Sequence, residues 1–242
     1  METECKRTSS VFVCSFDGST EDSVLQNYAG ELPLLHCHDL GMGSKKEKTR
    51  QRILAWRLLE YGLEQRFGLK LGDMEVFRTR WGKPLSRLHP EIFFNISHCA
   101  TAAACTLGNK STGIDVERKF DYRENLARRV CHREEWKILE TLPVQEREEQ
   151  LHALWSMKES FVKMDGRGMG YGMERINLAS LLPVSPEKEQ AIVMEGKLRF
   201  LLQGYDTYTL AACMQEEPGE ICQVTEKELF DEGQVTEQET NL

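Results

Sequence analysis

The stretch Thr112-Gly113-Ile114-Asp115-Val116-Glu117 decides the fold when it is read with the apolar helical pattern that follows at 151–164. Apolar and acidic side chains alternate in this stretch, as they do along a β-strand, so Asp115 and Glu117 face the same way. The first half of the chain has the same combination, because a helical pattern at 44–68 is surrounded by short strand-like apolar runs. A main helix with several strands in each half predicts an α+β fold with two similar lobes.

The chain is predicted to divide into three segments. Residues 1–108 form an N-terminal lobe, residues 109–225 a C-terminal lobe, and residues 226–242 an acidic, partly disordered tail. The turn Gly108-Asn109-Lys110 separates the two lobes. Nine of the 39 acidic residues lie at 216–242, where Lys227 is the only base, so the net charge of −8 belongs to this end. Solubility is the simplest role for such a tail.

Composition excludes several classes of protein. No run approaches the ~20 apolar residues that a membrane span requires. The N-terminus is too acidic, and its apolar run too short, for a secretory signal. The eight cysteines show neither a C-x-x-C pair nor zinc spacing, so we expect reduced thiols. These features predict a cytoplasmic protein without a membrane or nucleic-acid partner.

Carboxylates on the strand and helix indicate metal chemistry. Asp115 and Glu117 repel each other on one strand face, and Mg²⁺ would compensate because it takes oxygen ligands. The alternative is an edge strand with its acids in solvent. Glu159 and Lys163 stand one helical turn apart in Trp155-Ser156-Met157-Lys158-Glu159-Ser160-Phe161-Val162-Lys163. They are either an exposed ion pair or a third metal ligand and a phosphate-binding lysine.

Three further motifs contain candidate phosphate ligands. Phe93-Phe94-Asn95-Ile96-Ser97-His98 places polar residues at the exit of an apolar strand, where loops often carry ligands, although a purely structural His98 is the alternative. Trp81-Gly82-Lys83-Pro84 is a turn whose lysine either contacts a phosphate or is solvated. The basic segment 45–52 is either a phosphate-binding arc or a solvated helix face.

The order of these motifs resembles one enzyme family. Along the chain stand R-W-G-K-P-L at 80–85, F-N-I-S-H at 94–98, G-I-D-V-E at 113–117 and W-S-M-K-E-S-F-V-K at 155–163. The series is similar to that of the Sfp-type 4′-phosphopantetheinyl transferases over about residues 45–173. The resemblance implies an α+β fold of two pseudo-symmetric ferredoxin-like-type lobes, with coenzyme A and the active site in the cleft between them.

The resemblance also implies a metal site and two catalytic side chains. The ligands of Mg²⁺, or of Mn²⁺ in its place, would be Asp115, Glu117 and Glu159. Lys163 would contact the coenzyme's pyrophosphate and assist the leaving group, and the candidate general base is Glu159 or a metal-bound water that it orients. Glu135 falls where the family has a further acidic residue near the metal's water ligands, with Glu134 as the alternative register.

A second set of side chains would bind coenzyme A, the co-substrate. These are Lys83 and Pro84 beside the nucleotide, Ser97 and His98 at phosphate groups, Lys163 at the pyrophosphate, and Arg52 with Lys45, Lys46 or Lys48 at the 3′-phosphate. The position of Arg52 is counted into a helix in which Trp56 stands where the family usually has a small residue.

The implied activity is transfer of the 4′-phosphopantetheine arm of coenzyme A to a serine of an apo acyl or peptidyl carrier protein, releasing 3′,5′-ADP. We expect a monomer, because two fused lobes complete one cleft. The glycine-rich loop 166–172 is expected to help accept the carrier, as are the basic side chains of Arg123, Arg128, Arg129, Lys158 and Arg167. The alternatives are a metal-dependent phosphodiesterase or nucleotidase, and a non-catalytic module that binds coenzyme A or a carrier.

Overall fold

A computed structural model describes residues 8–32, 46–184, 190–193 and 198–231. The strands in these ranges are β1 (Thr8–Ser15), β2 (Val76–Arg78), β3 (Pro84–Ser86), β4 (Phe93–His98), β5 (Ala102–Gly108), β6 (Thr112–Arg118), β7 (Gln190–Val193), β8 (Arg199–Gly204), β9 (Tyr208–Met214) and β10 (Glu217–Gln223). The α-helices are α1 (Asp22–Glu31), α2 (Lys46–Phe67), α3 (Glu124–Val130), α4 (Arg133–Thr141), α5 (Val144–Asp165) and α6 (Glu226–Phe230). None of these helices is long and apolar enough to cross a membrane.

Two four-stranded sheets form the framework. Their strand orders are β10-β1-β5-β4 and β6-β9-β8-β7, and β2 and β3 form a separate hairpin. All pairs are antiparallel except β1 with β10, which run parallel. The mixed architecture confirms the predicted α+β fold.

Buried apolar side chains form three clusters between these elements. The long helix α2 covers one face of the first sheet, where Leu59 and Leu63 pack with Phe12. Helix α5 covers the second sheet, where Met157 packs with Phe200. The remaining faces of the two sheets pack against each other through a third cluster: Val11, Val13, Ala102, Ala104, Ile114, Val116, Leu201, Leu210, Ala212 and Met214. Each sheet is therefore buried on both faces, which explains the nearly continuous apolar runs of β5 and β9.

Polar side chains of β4 join the edges of the two sheets. Asn95 Oδ1 accepts a hydrogen bond of 2.9 Å from the backbone N–H of Ile114, and Ser97 Oγ accepts one of 3.2 Å from that of Val116. These bonds satisfy the backbone of β6, whose other edge pairs with β9. The sequence placed the polar residues of this motif in a loop after a strand, whereas β4 extends through His98. The physical reason is that the neighbouring sheet edge supplies polar partners for buried side chains within the strand.

The C-terminal segment lies against the first sheet. Strand β10 pairs with β1, and Val224, which follows it, and Leu229 of α6 are buried in the core beneath α2. The sequence instead assigned residues up to 225 to the second lobe and the following ones to a tail. The difference arises because β10 pairs with β1 and because Val224 and Leu229 are buried with α2 in the core of the first sheet. Residues 232–242 of the predicted tail lie outside the described residues.

Candidate active site

The candidate site lies where β4, β6 and α5 meet. Gly113 on β6 lets α5 approach closely, because a Cβ on this residue would come 2.2 Å from Ser160 O and 2.3 Å from Met164 N. Glu159 and Lys163 each precede one of these helix residues, so the close approach carries them to the acidic face of β6. Two features thus position the charged groups: the absence of a side chain at Gly113, and the four-residue spacing of Glu159 and Lys163 on α5.

Asp115, Lys163 and Ser97 form a hydrogen-bonded cluster. Lys163 Nζ lies 2.7 Å from Asp115 Oδ1 and 2.9 Å from Ser97 Oγ. The Ser97 hydroxyl donates to the same Asp115 oxygen over 3.2 Å. The side chain of Lys163 is 28% exposed and that of Asp115 only 6%, so the lysine opens toward solvent while the carboxylate is held in place. The alternative interpretation of the sequence, an exposed Glu159–Lys163 pair, differs from the structure, where the ion pair of Lys163 is with Asp115.

Two further carboxylates, Glu117 and Glu159, interact electrostatically with Asp115. Burial raises the pKa of Glu117, and the charge of Asp115 raises it further. Burial also raises the pKa of Glu159. The charge of Lys163 partly offsets this increase, whereas the charges of Asp115 and Glu117 add to it. Asp115, Glu117 and Glu159 therefore repel one another, and the positive charge of Lys163 acts on all three.

The residues fit a divalent cation by their chemistry. Asp115 Oδ2 is buried and has no hydrogen-bond partner in the described part of the chain. An unpartnered carboxylate oxygen beside two repelling acids is a set of hard oxygen donors of the kind that Mg²⁺ takes. Within the described residues, no group of three or more His, Cys, Asp or Glu side chains is arranged so that it could already hold a metal ion. The three-carboxylate set therefore stays a prediction.

A second cluster lies on the other face of β4. Side chains alternate along this strand, so Ser97 faces β6 while Ile96 and His98 face α2. A cavity of ≈ 250 Å³ there is lined by Arg52, Ala55, Trp56, Arg78, Ile96 and His98. Burial, and then the charges of Arg52, Lys163 and Lys48, lower the pKa of His98 to about 4. The cavity is therefore a cationic environment suited to an anion.

The structure brings some predicted ligands to this cavity and adds another. Arg52 lines it, and Lys48 lies close enough to lower the pKa of His98, whereas Lys45 is outside the described residues. Arg78 also lines the cavity, and sequence reasoning missed it. Strand alternation separates Arg78 from Phe77, but no local pattern shows that the arginine's face meets α2.

Lys83 contacts the framework of the site. Its Nζ donates to Met164 O at 2.7 Å and to Thr112 O at 3.3 Å, which are at the end of α5 and the start of β6. Burial lowers the pKa of Lys83 to about 8. A cation at a helix C-terminus is favourable, so Lys83 fixes α5 relative to β6. Pro84 is buried in the β2–β3 hairpin opposite Arg78.

Glu135 and Lys158 form a buried ion pair, which corrects two expectations. Lys158 Nζ lies 2.5 Å from Glu135 Oε2, and both side chains are fully buried. The other bonds of Glu135 come from the backbone N–H groups of His132 at 2.6 Å and Leu178 at 2.7 Å. Both carboxylate oxygens thus have protein partners, so Glu135 does not face metal-bound water. Lys158 was expected on the docking surface but is inaccessible, because its ammonium group neutralises this acid in the core.

The glycine-rich loop borders a separate surface cavity. Its volume is ≈ 330 Å³ and its lining residues are Trp81, Arg167, Gly170, Tyr171 and Arg175. Arg167 is exposed, lies 4.5 Å from the centre of the Tyr171 ring and pairs with Asp165. The other basic residues expected at a docking surface, Arg123, Arg128 and Arg129, are exposed around α3.

Comparisons with known proteins match part of this chain to one enzyme superfamily. Residues 111–213, which include β6, α5 and β9, match the model of the 4'-phosphopantetheinyl transferase superfamily. This match covers less than half of the 242-residue chain, and the resemblance to the Sfp-type members of the superfamily is confirmed.

Three relatives show the extent of the likeness. The chain is 27% identical to 4'-phosphopantetheinyl transferase Sfp of Bacillus subtilis (strain 168) over 55% of this chain and 59% of that protein. It is 30% identical to 4'-phosphopantetheinyl transferase psf-1 of Bacillus pumilus over 52% of this chain and 54% of the relative. It is also 30% identical to 4'-phosphopantetheinyl transferase HetI of Nostoc sp. (strain PCC 7120 / SAG 25.82 / UTEX 2576), over 58% and 62%. The matched region thus spans less than two thirds of each relative.

Proposed function

We propose that this protein transfers the 4′-phosphopantetheine arm of coenzyme A to a serine hydroxyl of an apo acyl or peptidyl carrier protein. The observation that carries the proposal is the cluster of Asp115, Lys163 and Ser97, flanked by Glu117 and Glu159, in a chain whose residues 111–213 match this superfamily. Phosphoryl transfer depends mainly on positioning and on neutralising charge, and this cluster contains both acids and a partly exposed cation.

Asp115, Glu117 and Glu159 are proposed to hold Mg²⁺, or Mn²⁺ in its place. When bound, the ion supplies Lewis-acid stabilisation of the pyrophosphate oxygens. The unpartnered Oδ2 of Asp115 supports this assignment, as do the raised pKa values of the two glutamates. The side chain of Lys163 is partly exposed and has four methylene groups, so its ammonium group can turn to a phosphate without disturbing the backbone.

Glu159 is proposed as the general base. Its raised pKa makes it a stronger base than an ordinary glutamate, and it lies beside the groups that would bind the pyrophosphate. The serine oxygen forms a bond to the pantetheine-linked phosphorus, its proton passes to Glu159, and the bond to the bridging oxygen of 3′,5′-ADP breaks. Lys163 stabilises the negative charge that develops on that oxygen.

The cavity beside His98 is proposed to receive the coenzyme's 3′-phosphate. Arg52 and Arg78 line it and Lys48 is nearby, while His98 with a pKa of about 4 is a neutral hydrogen-bonding group at physiological pH. Lys45 is proposed to complete this arc, and Lys83 and Pro84 to support the nucleotide side through the β2–β3 hairpin.

The remaining assignments concern the surroundings of the enzyme. We propose a monomer in the cytoplasm, in line with the free cysteines among the described residues, five of the six being buried. The carrier is proposed to dock at the glycine-rich loop and the exposed arginines around α3, because carriers are typically acidic near their serine.

The decisive experiment incubates an apo carrier protein with coenzyme A, Mg²⁺ and the enzyme, and measures the intact mass of the carrier. We expect one added phosphopantetheine per carrier, and no addition when Mg²⁺ is chelated. Release of 3′,5′-ADP with an unmodified carrier would show hydrolysis instead. Retention of coenzyme A with neither product would show a binding module, and either result would overturn the proposal.

A further inference from the structure

The first turns of α2 present basic side chains on two opposite faces. Successive helical residues are rotated by about 100°, so Lys48 and Arg52 share one face and Arg50 points almost directly away from it. Lys48 and Arg52 face His98, whose pKa their charges lower. Arg50 faces the C-terminal segment instead.

Glu226 forms an ion pair with Arg50. Its carboxylate is fully buried and lies 2.6 Å from Arg50 Nη2. The backbone N–H groups of Thr20 and Gly18 donate to it at 3.1 and 3.3 Å. Arg50 Nη1 also donates to Thr20 O at 2.9 Å. These hydrogen bonds fix the orientation of the buried Glu226 carboxylate, and the carboxylate in turn holds the Arg50 guanidinium in one position.

A second contact fixes the same face of α2 further along. Arg57 lies seven residues, or nearly two helical turns, after Arg50, and its Nε donates to Leu229 O at 2.5 Å. Leu229 and Val224 are buried in the core beneath the helix. The C-terminal segment therefore holds α2 at two points and limits its rotation.

We propose that Glu226 is a positioning residue for the anion cavity. By holding Arg50 on the back of α2, it directs Lys48 and Arg52 toward His98 and so sets the affinity for a phosphate monoester bound there. Glu226 lies in the C-terminal segment, outside residues 111–213 that match the superfamily. The inference rests on the proposed function, because it takes the cavity as the site of the coenzyme's 3′-phosphate.

The test compares coenzyme A with 3′-dephospho-coenzyme A, which lacks the group that the cavity would bind. In Glu226→Gln we expect the Kd and KM for coenzyme A to rise about tenfold, because a small displacement of Arg52 weakens a phosphate contact strongly. The Kd for 3′-dephospho-coenzyme A and the kcat at saturating coenzyme A should stay within about twofold of wild type.

Two further variants make the result specific. Glu220→Gln is the matched control, because Glu220 is exposed on β10, and it should leave both ligands unaffected. The neutral pair Arg50→Gln/Glu226→Gln avoids an uncompensated buried charge and should reproduce the selective loss if the single variant does not fold.

The outcomes separate this inference from the proposed function. Equal loss of both ligands in Glu226→Gln, or no loss of either, would overturn the positioning role while wild-type binding remained intact. If the wild-type protein failed to bind coenzyme A, the proposed function would fall, and this inference with it.

Discussion

The backbone of Gly113 lies directly beneath Ser160, so that a Cβ on the glycine would come 2.2 Å from the serine's carbonyl oxygen. This contact joins the acidic strand to the helix that carries Glu159 and Lys163. The distance between the two elements decides whether those side chains reach Asp115, so the glycine supports the site without taking part in its chemistry.

Substitution of Gly113 should therefore affect both stability and activity. Gly113→Ala forces β6 and α5 apart, and we expect it to lower the free energy of unfolding by about 1–3 kcal/mol. Urea unfolding measures this change. The control Gly30→Ala lies in exposed helix α1 with open space around its Cβ, and it should stabilise by about 0.5–1 kcal/mol. Equal stability of Gly113→Ala and wild type would contradict the close contact.

Removing one partner of the buried pair should be strongly destabilising. Lys158→Met leaves Glu135 charged in the core, and we expect a loss of about 3–5 kcal/mol in urea unfolding. Lys158→Met/Glu135→Gln removes that charge and should recover part of the loss. Lys137→Met, at an exposed position of α4, should stay within about 0.5 kcal/mol of wild type. A Lys158→Met protein as stable as this control would refute the pair's structural role.

Glu159 can be tested separately from coenzyme binding. Glu159→Gln preserves the shape of the side chain but removes its basicity, so turnover should fall by about 10²–10⁴-fold. Coenzyme A should still bind through the anion cavity, as measured by calorimetry. Glu149→Gln, exposed earlier on the same helix, serves as the control. Near-normal turnover of the Glu159 variant would eliminate the general-base assignment.

His98 should give stability a pH dependence of defined sign. Burial first, and then Arg52, Lys163 and Lys48, lower its pKa from 6.5 to about 4. Between these values the unfolded state binds a proton that the native state excludes, so acidification through this window destabilises the protein. The unfolding free energy of His98→Gln should improve relative to wild type by about 1–2 kcal/mol between pH 7.5 and pH 5. A pH-independent difference between the two proteins would exclude the lowered pKa.

Local patterns were sufficient for the class of fold and for most of the candidate residues. The alternation in Gly113-Ile114-Asp115-Val116-Glu117 predicted a strand with its acids on one face, and helical spacing put Glu159 and Lys163 together on α5. Both predictions rest on periods of two and 3.6 residues, which a sequence displays directly. The roles of the candidate residues were predicted from the order of the motifs, which resembles that of one family.

Tertiary structure alone decided which charged groups meet. Glu135 pairs with Lys158 across 23 residues, and Glu226 with Arg50 across 176. Lys163 could have paired with Glu159 one turn away, yet it lies on Asp115 because β6 passes beneath α5 at Gly113. Such choices depend on sheet order and on how closely elements pack. Periodicity within one helix or strand therefore cannot predict these ion pairs. It shows which face of the element a side chain occupies, but not which other element that face contacts.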